Sequence, residues 1–385
     1  MLFDGLKPQA PDALLALIGM FAADPRADKI DLGVGVYRDE SGGTPVFRAV
    51  KAAEARLVET QTSKSYLGPE GDIRFTELLK PILFGGNSDA KSVVGVQTPG
   101  GTGALRLAAE LIAAARPGTK VWIGTPTWPN HPPVFASANL KIETYRYFDQ
   151  ASQTILFDEM MDALGRAEAG DVVLLHGCCH NPTGANLTGL QWAGVAEVIG
   201  ERGLIPLIDL AYQGLGDGLE GDAAGLRMVL ESAGDVIAAF SCDKNFGLYR
   251  DRVGALYVRS RQSDLVLSNM LALARPNWSM PPDHGAAVVR TILDDAELTA
   301  DWKKELSSMR IRINEVRKAL AAGDPFFAPQ AKQQGMFSLL PLNPDQVKTL
   351  RTEHGIYMAG SGRANLAGLT LKTVPKFIEA VKSVR

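Results

Sequence analysis

Seven short apolar runs recur through the middle of the chain: VVGVQ (93–97), KVWIG (120–124), KIETY (141–145), DVVLLH (171–176), PLID (206–209), VIAAFS (236–241) and RVGALYV (252–258). They read as apolar on both faces, the pattern of strands buried in a largely parallel sheet covered by helices. Between the runs the spacing changes. TGALRLAAELIAAARPG repeats its apolar residues at helical intervals and closes on Arg116, Pro117 and Gly118. Thr188 and Gln191 fit a capping box ahead of WAGVAEVIGERG, which stops at Gly203. Strand alternating with helix over about 170 residues predicts an α/β sandwich.

After about residue 290 the pattern changes. DAELTADWKKELSSMRIRINEVRKAL is one long helical stretch, polar on one side. Beyond it come a strand-like MFSLL, a helix from Asp345 to His354, short strands at IYMA and RANLAG, and a final helix from Val374. This predicts a smaller α+β unit that residues 13–45 join. With no linker or repeat between the units, a cleft between them is the expected site.

Composition narrows the function. The chain has 385 residues with Lys+Arg 40 against Asp+Glu 43, a formal net charge of -3. That balance gives no electrostatic footprint for nucleic acid or an anionic membrane. The longest uncharged run, 121–140, contains Pro126, Pro129, Pro132 and Pro133, so no membrane helix is expected there. Cys178, Cys179 and Cys242 are too few for a disulfide scaffold and fit a reducing compartment. The N-terminus lacks a basic n-region and a small-residue cleavage site. A cytoplasmic enzyme is the expectation.

Four segments offer chemistry. GGTG (100–103) follows a strand and opens a helix, so its amides suit an anion, although such a turn also serves as a tight connection. It is neither G-x-G-x-x-G nor G-K-[ST]. Asp209 ends PLID, at the strand edge where ligands of α/β sheets bind; a helix N-cap is the plainer reading. HGCCHNPTG (176–184) tempts a zinc reading, but four donors within five residues cannot surround one ion, so no metal is expected. Its Asn181 sits in a turn after a strand. SCDKNFGLYRDRVGA (241–255) places Lys244 beside Phe246, Leu248 and Tyr249, where burial would favour the neutral amine that a Schiff base needs. Pyridoxal phosphate needs a lysine, a carboxylate for its ring nitrogen, donors for its phenolate and a phosphate cradle. Lys244, Asp209, Asn181 with Tyr212, and Thr102 with Ser241 and Arg252 would supply them, and Trp128 would cover the ring.

At these residues the sequence resembles the class I, fold-type I, pyridoxal-phosphate-dependent aminotransferases, in the aspartate and aromatic-amino-acid subgroup. The resemblance runs from KIDLGVGVYRDESGGTPV through TPGGTGALR, PTWPNHPPVF, HGCCHNPTGANLT, LIDLAYQGLGDGLE and DKNFGLYRDRVGA to GSGRANLAG. It implies a large domain, 46–304, with a mostly parallel seven-stranded sheet, a small domain from 13–45 and 305–385, and an arm, 1–12, that reaches a partner subunit. Lys244 would form the Schiff base and shuttle the substrate proton, and Asp209 would keep the ring nitrogen protonated. Tyr212 and Asn181 would bind the phenolic oxygen, Trp128 would stack on the ring, and His131 would orient Asp209. Gly101, Thr102, Ser241 and Arg252 would hold the phosphate, with Tyr66 from the second subunit of a homodimer. Arg363 would bind the substrate α-carboxylate, Gly35 would lie over the substrate, and Arg275 would read a dicarboxylate side chain across the dimer.

Departures from the aspartate enzymes bear on specificity. Their S-x-S-K has Asp243 before the lysine here, and Ser65 stands where they carry Asn. Trp278 and Met280 replace Tyr and Asn, adding soft apolar surface. Together with the wording TQTSKSY and DLAYQGLGDGLE, these changes point to an enzyme acting on aromatic and dicarboxylic amino acids, with 2-oxoglutarate or another 2-oxo acid as acceptor. An aspartate aminotransferase with little aromatic activity, a pyridoxal phosphate lyase or decarboxylase, and a non-catalytic binding protein are the alternatives.

Overall fold

All seven apolar runs become strands of one sheet in the computed structural model, which describes residues 1–8, 13–86 and 92–385, and of residues 13–15 the backbone alone. Residues 9–12 of the expected N-terminal arm lie outside these. The strands are β1 (Val93–Pro99), β2 (Lys120–Thr125), β3 (Lys141–Arg146), β4 (Val172–His176), β5 (Ile205–Leu210), β6 (Val236–Ser241) and β7 (Val253–Arg259). Their order across the sheet is β1-β7-β6-β5-β4-β2-β3. β7 runs antiparallel to both its neighbours, and the remaining pairings are parallel.

Successive residues of the inner strands alternate between two cores, because strand side chains point to opposite faces. Val173, Leu175, Ala238 and Phe240 join one core, while Val172, Leu174, Ile237 and Ala239 join the other. The helix Gly100–Ala115 covers the second face through Ala104, Leu105, Leu107 and Ala108. β3 departs from the expectation of burial on both faces. It is one of the two edge strands, only its Tyr145 is buried, and Lys141, Glu143 and Arg146 reach solvent. Charged residues on an edge strand discourage pairing with another chain.

The expected helix breaks appear where the sequence places them. Thr188 and Gln191 form a reciprocal capping box on the helix Gly189–Arg202, and Gly203 ends it in the left-handed region at φ 64. The long helical stretch spans Ala296–Gly323. Its C-terminal half, through Val316 and Leu320, joins a third core with Ile30, Leu32, Phe327, Leu350 and Phe377. Around that core Ile30–Asp31 pairs in parallel with Ile356–Tyr357, and Phe337–Leu339 pairs antiparallel with Arg363–Asn365. The pairing of residues 30–31 with 356–357, with hydrogen bonds such as those from Asn365 Nδ2 to the Val34 and Val36 carbonyls, ties the N-terminal segment to the C-terminal unit. Among the described residues, no helix is long and apolar enough to cross a membrane.

Candidate active site

Strand register assembles the first part of the site. His176 is the register partner of Asp209 at the carboxyl ends of β4 and β5, and Ser241 ends the next strand. Counting by twos from Leu174, Leu207 and Ala239 puts all three on the face covered by the helix Gly100–Ala115. Ligands of α/β sheets bind at this edge. The antiparallel turn of β7 supplies the second part. Val253 is the register partner of Pro99, so Arg252, one residue earlier, lands against the start of that helix. A Cβ on Gly100 would lie 2.4 Å from Arg252 Nη2.

A cavity at this edge is lined by Gly101, Thr102, Trp128, Asn181, Asp209, Tyr212, Ser241, Asp243 and Lys244, together with Leu105, His176 and Ala211. Lys244 projects from the loop joining β6 to β7. That loop is pinned from behind: Phe246 stacks on Trp302 at 4.3 Å, and Trp302 Nε1 donates to the Asn245 carbonyl at 2.7 Å. Lys244 Nζ lies 5.2 Å from the Tyr212 ring centroid. Burial pushes its amine below the ordinary lysine value, against the opposing pull of Asp243 and Asp209.

Asp209 Oδ2 lies 3.0 Å from His131 Nε2, and His131 is fully buried. Burial raises the Asp209 carboxyl, but His131, His176 and Lys244 together outweigh it and draw it below the ordinary value. Thr127 Oγ1 sits between His131 Nδ1, at 2.7 Å, and His176 Nε2, at 3.1 Å. Opposite them, Asn181 Nδ2 donates to the Tyr212 hydroxyl at 3.3 Å, and burial pushes that phenol up. Trp128 meets the His131 ring edge-on at 5.2 Å.

These residues fit pyridoxal phosphate. Asn181 Nδ2 and the Tyr212 hydroxyl are neighbouring donors from which a ligand's phenolic oxygen would accept, and Asn181 Oδ1 is buried without a hydrogen-bond partner among the described residues. A Cβ on Gly101 would approach the Ser241 Cβ to 3.0 Å, so only glycine leaves backbone open at the helix start for an anion. The amine, the charged carboxylate and the anion cradle lie on one cavity, as the cofactor's aldehyde, ring nitrogen and phosphate require.

The C-terminal unit contributes the neighbouring wall. Arg363 is buried, donates from Nη2 to the Gly33 carbonyl at 2.8 Å, and lies over the Phe337 ring at 4.7 Å. Phe337 meets Tyr212 edge-on at 5.9 Å, and a Cβ on Gly35 would reach its Cζ at 3.0 Å. Gly35, Arg363 and Tyr212 therefore converge on one phenyl ring. A further cavity of about 800 Å³ adjoins Arg363, walled by Leu17, Met20, Phe148, Leu339 and Met358.

Tyr66 and Arg275 stand apart. Neither lines the cavity. Tyr66 is 94% exposed, and Arg275 is exposed with Nη1 donating to Ser279 Oγ. Their segments adjoin, since the Leu67 N–H donates to Met280 Sδ at 3.0 Å.

Sequence reasoning missed Thr127, His176 and Phe337. His176 carried a signal, a histidine ending an apolar strand, but the zinc question absorbed its segment. Cys178, Cys179 and Asp222 offer donor atoms within 4.8 Å of one another. The Asp222 carboxylate already accepts from the Gly214, Gly216 and Asp217 amides, which makes it a turn-holding group.

Comparison with known proteins agrees with this geometry. A family model for aminotransferase class I and II matches residues 27–381. A tyrosine aminotransferase of Rhizobium meliloti (strain 1021) is 56% identical over 375 residues, covering 96% of each chain. An aspartate aminotransferase of Escherichia coli (strain K12) is 44% identical over 395 residues, covering 100% of both. The structure of an aromatic-amino-acid aminotransferase from Burkholderia pseudomallei, covalently bound to pyridoxal phosphate, superposes with TM-score 0.95 at 38% identity, covering 100% of this chain and 99% of that one. With a part-buried lysine and a histidine-held aspartate on one cavity, and this agreement along its length, the chain belongs to the class I and II aminotransferases and is a pyridoxal-phosphate-dependent enzyme.

Proposed function

We propose that this enzyme moves the amino group of an aromatic L-amino acid, or of L-aspartate or L-glutamate, to a 2-oxo acid such as 2-oxoglutarate. The observation that carries the reading is the convergence of Lys244, Asp209, Asn181 and Tyr212 on one cavity, with Arg363 on the adjoining wall. Pyridoxal phosphate, when bound, supplies the electron sink for the substrate carbon. Lys244 carries it and moves the proton at the substrate Cα, a task that its lowered amine pKa suits. Asp209, kept charged by His131, holds a proton on the ring nitrogen, while Asn181 and Tyr212 orient the phenolic oxygen. Trp128 covers the ring. Gly101, Thr102, Ser241 and Arg252 take the phosphate. Arg363 pairs with the substrate carboxylate in two-pronged fashion, under Gly35.

Aromatic donors are favoured by the apolar side chains of Leu17, Met20 and Met358 beside Arg363, and by the soft Met280, which meets the Tyr66 segment at Leu67. We read the enzyme as a homodimer because Tyr66 and Arg275 are outside this chain's own cavity and exposed, on segments that adjoin at Leu67 and Met280, where a second subunit would receive them. The large unit is taken as residues 46–304 and the small one as 13–45 with 305–385, the latter around the third core. The buried free cysteines suit the cytoplasm.

The test is an absorbance titration of the cofactor-loaded protein with L-phenylalanine and, separately, L-aspartate. Both are expected to shift the cofactor band, and 2-oxoglutarate to restore it. A response to aspartate alone makes this an aspartate aminotransferase. Loss of the side chain or carboxyl group without dependence on a 2-oxo acid would make it a lyase or decarboxylase.

A further inference from the structure

The phosphate cradle contains a carboxylate. Asp243 lines the same cavity as Gly101, Thr102 and Ser241, and its side chain is only 8% exposed. Its Oδ2 accepts from Arg252 Nη1 at 2.7 Å and lies 3.8 Å from Lys244 Nζ, while its Oδ1 is buried without a hydrogen-bond partner among the described residues. Arg252 Nη1 also donates to the Tyr249 carbonyl at 3.0 Å. The Asp243 amide donates to Ser241 Oγ at 3.2 Å, leaving the serine hydroxyl proton available to an anion. The one arginine placed against the helix start is thus already paired with a carboxylate.

An anion entering this cradle meets a neutralised guanidinium and an added negative charge. Like charges in a shared, partly desolvated site repel, and Asp243 Oδ1 has no hydrogen-bond donor among the described residues to offset that repulsion. We propose that Asp243 competes with the cofactor's phosphate for Arg252, so that this enzyme holds phosphorylated pyridoxal loosely and exchanges it readily. The inference rests on the assignment of Lys244, Ser241 and Arg252 to the cofactor. It concerns the phosphate alone, since the ring and aldehyde ends face Asp209, Asn181 and Lys244.

The full-length protein is tested as wild type, Asp243→Asn and Asp243→Ser. Dissociation constants for pyridoxal 5'-phosphate and for unphosphorylated pyridoxal are read from tryptophan quenching, and cofactor release from the loaded enzyme is followed after dilution. Both variants are expected to bind pyridoxal phosphate about tenfold more tightly or better, to release it correspondingly more slowly, and to bind pyridoxal as the wild type does. Unchanged or weaker affinity for the phosphorylated ligand overturns the competition, because Asp243 then orients Arg252 or is silent. Equal tightening of both ligands also overturns it, since the charge would then act through Lys244. Using Asn and Ser together guards against one variant failing to fold. Borohydride trapping of the wild type distinguishes the two levels of failure: no label at Lys244 sinks the site assignment, whereas a labelled Lys244 with unchanged affinities sinks only the role of Asp243.

Discussion

His176 and His180 stand at the foot of the site, their rings 4.0 Å apart, with the His131 ring 5.1 Å from His176. Burial, reinforced by His131, pushes His176 down to about 3, and burial with its two neighbours pushes His180 well below the ordinary value. Both rings are therefore neutral in the folded protein at a pH where the unfolded chain, with a histidine value of 6.5, binds protons. Stability consequently rises with pH through the window from about 3 to 6.5 and is lost as the solution is acidified. Each such histidine contributes a slope of up to about 1.4 kcal/mol per pH unit. The variant His176→Gln keeps a polar partner for Thr127, and its urea-unfolding free energy is expected to fall less steeply between pH 6 and pH 4, by up to one histidine's slope. An unchanged slope would mean that His176 protonates without penalty in the native state. This cluster also marks how far single residues were legible. Lys244, Asp209 and Asn181 could be picked out because each ends or follows an apolar run. Thr127 and Phe337 could not, because their roles come from contacts with His131, His176, Tyr212 and Arg363 that no local pattern encodes.

At the level of elements, apolar runs flanked by helical spacing disclosed every strand of the large sheet. What they concealed was order and direction. A run reads the same forwards or backwards, and nothing in RVGALYV announces that β7 lies antiparallel between β1 and β6. Yet this reversal builds the cradle, because the loop from β6 to β7 starts and ends at one sheet edge and so delivers both Lys244 and Arg252. The edge position of β3 was equally hidden, since KIETY contains enough apolar residues to pass for an inner strand. Capping chemistry was readable because it is local. Thr188 Oγ1 accepts from the Gln191 amide at 3.3 Å, and Gln191 Oε1 accepts from the Thr188 amide at 2.9 Å. Thr188→Ala removes one of these bonds from a helix that contributes no residue to the cofactor cavity. The expected cost is about 1 kcal/mol of unfolding free energy, seen as a lower urea midpoint at unchanged slope. Cofactor uptake is expected to stay at the wild-type level. A loss of uptake would reveal that the helix Gly189–Arg202 braces the site.

For the whole molecule, the question is which surfaces must meet for a site to be complete. Tyr66 and Arg275 are exposed on adjoining segments, and the apolar Met1, Leu2, Phe3 and Leu6 are also exposed on the single chain. A symmetric dimer would present these segments to the other subunit's cavity, since a two-fold interface uses the same surfaces twice. The consequence can be measured by mixing two proteins that are each defective with aspartate. Lys244→Ala lacks the amine, and Arg275→Ala lacks the proposed reader of a dicarboxylate side chain, an expected loss of about 2–5 kcal/mol for aspartate if that charge pair is buried in the complex. In a hybrid dimer one site carries both defects. The other has the intact Lys244 of its own subunit and the intact Arg275 of its neighbour. Random pairing makes half of the dimers hybrids, each with one good site of two, so mixed and re-paired subunits are expected to regain roughly a quarter of wild-type aspartate turnover. Turnover no greater than that of the two variants assayed apart would mean that Arg275 serves its own subunit or none. With L-phenylalanine as donor, Arg275→Ala alone is expected to remain active, because the aromatic ring offers that guanidinium no carboxylate to lose.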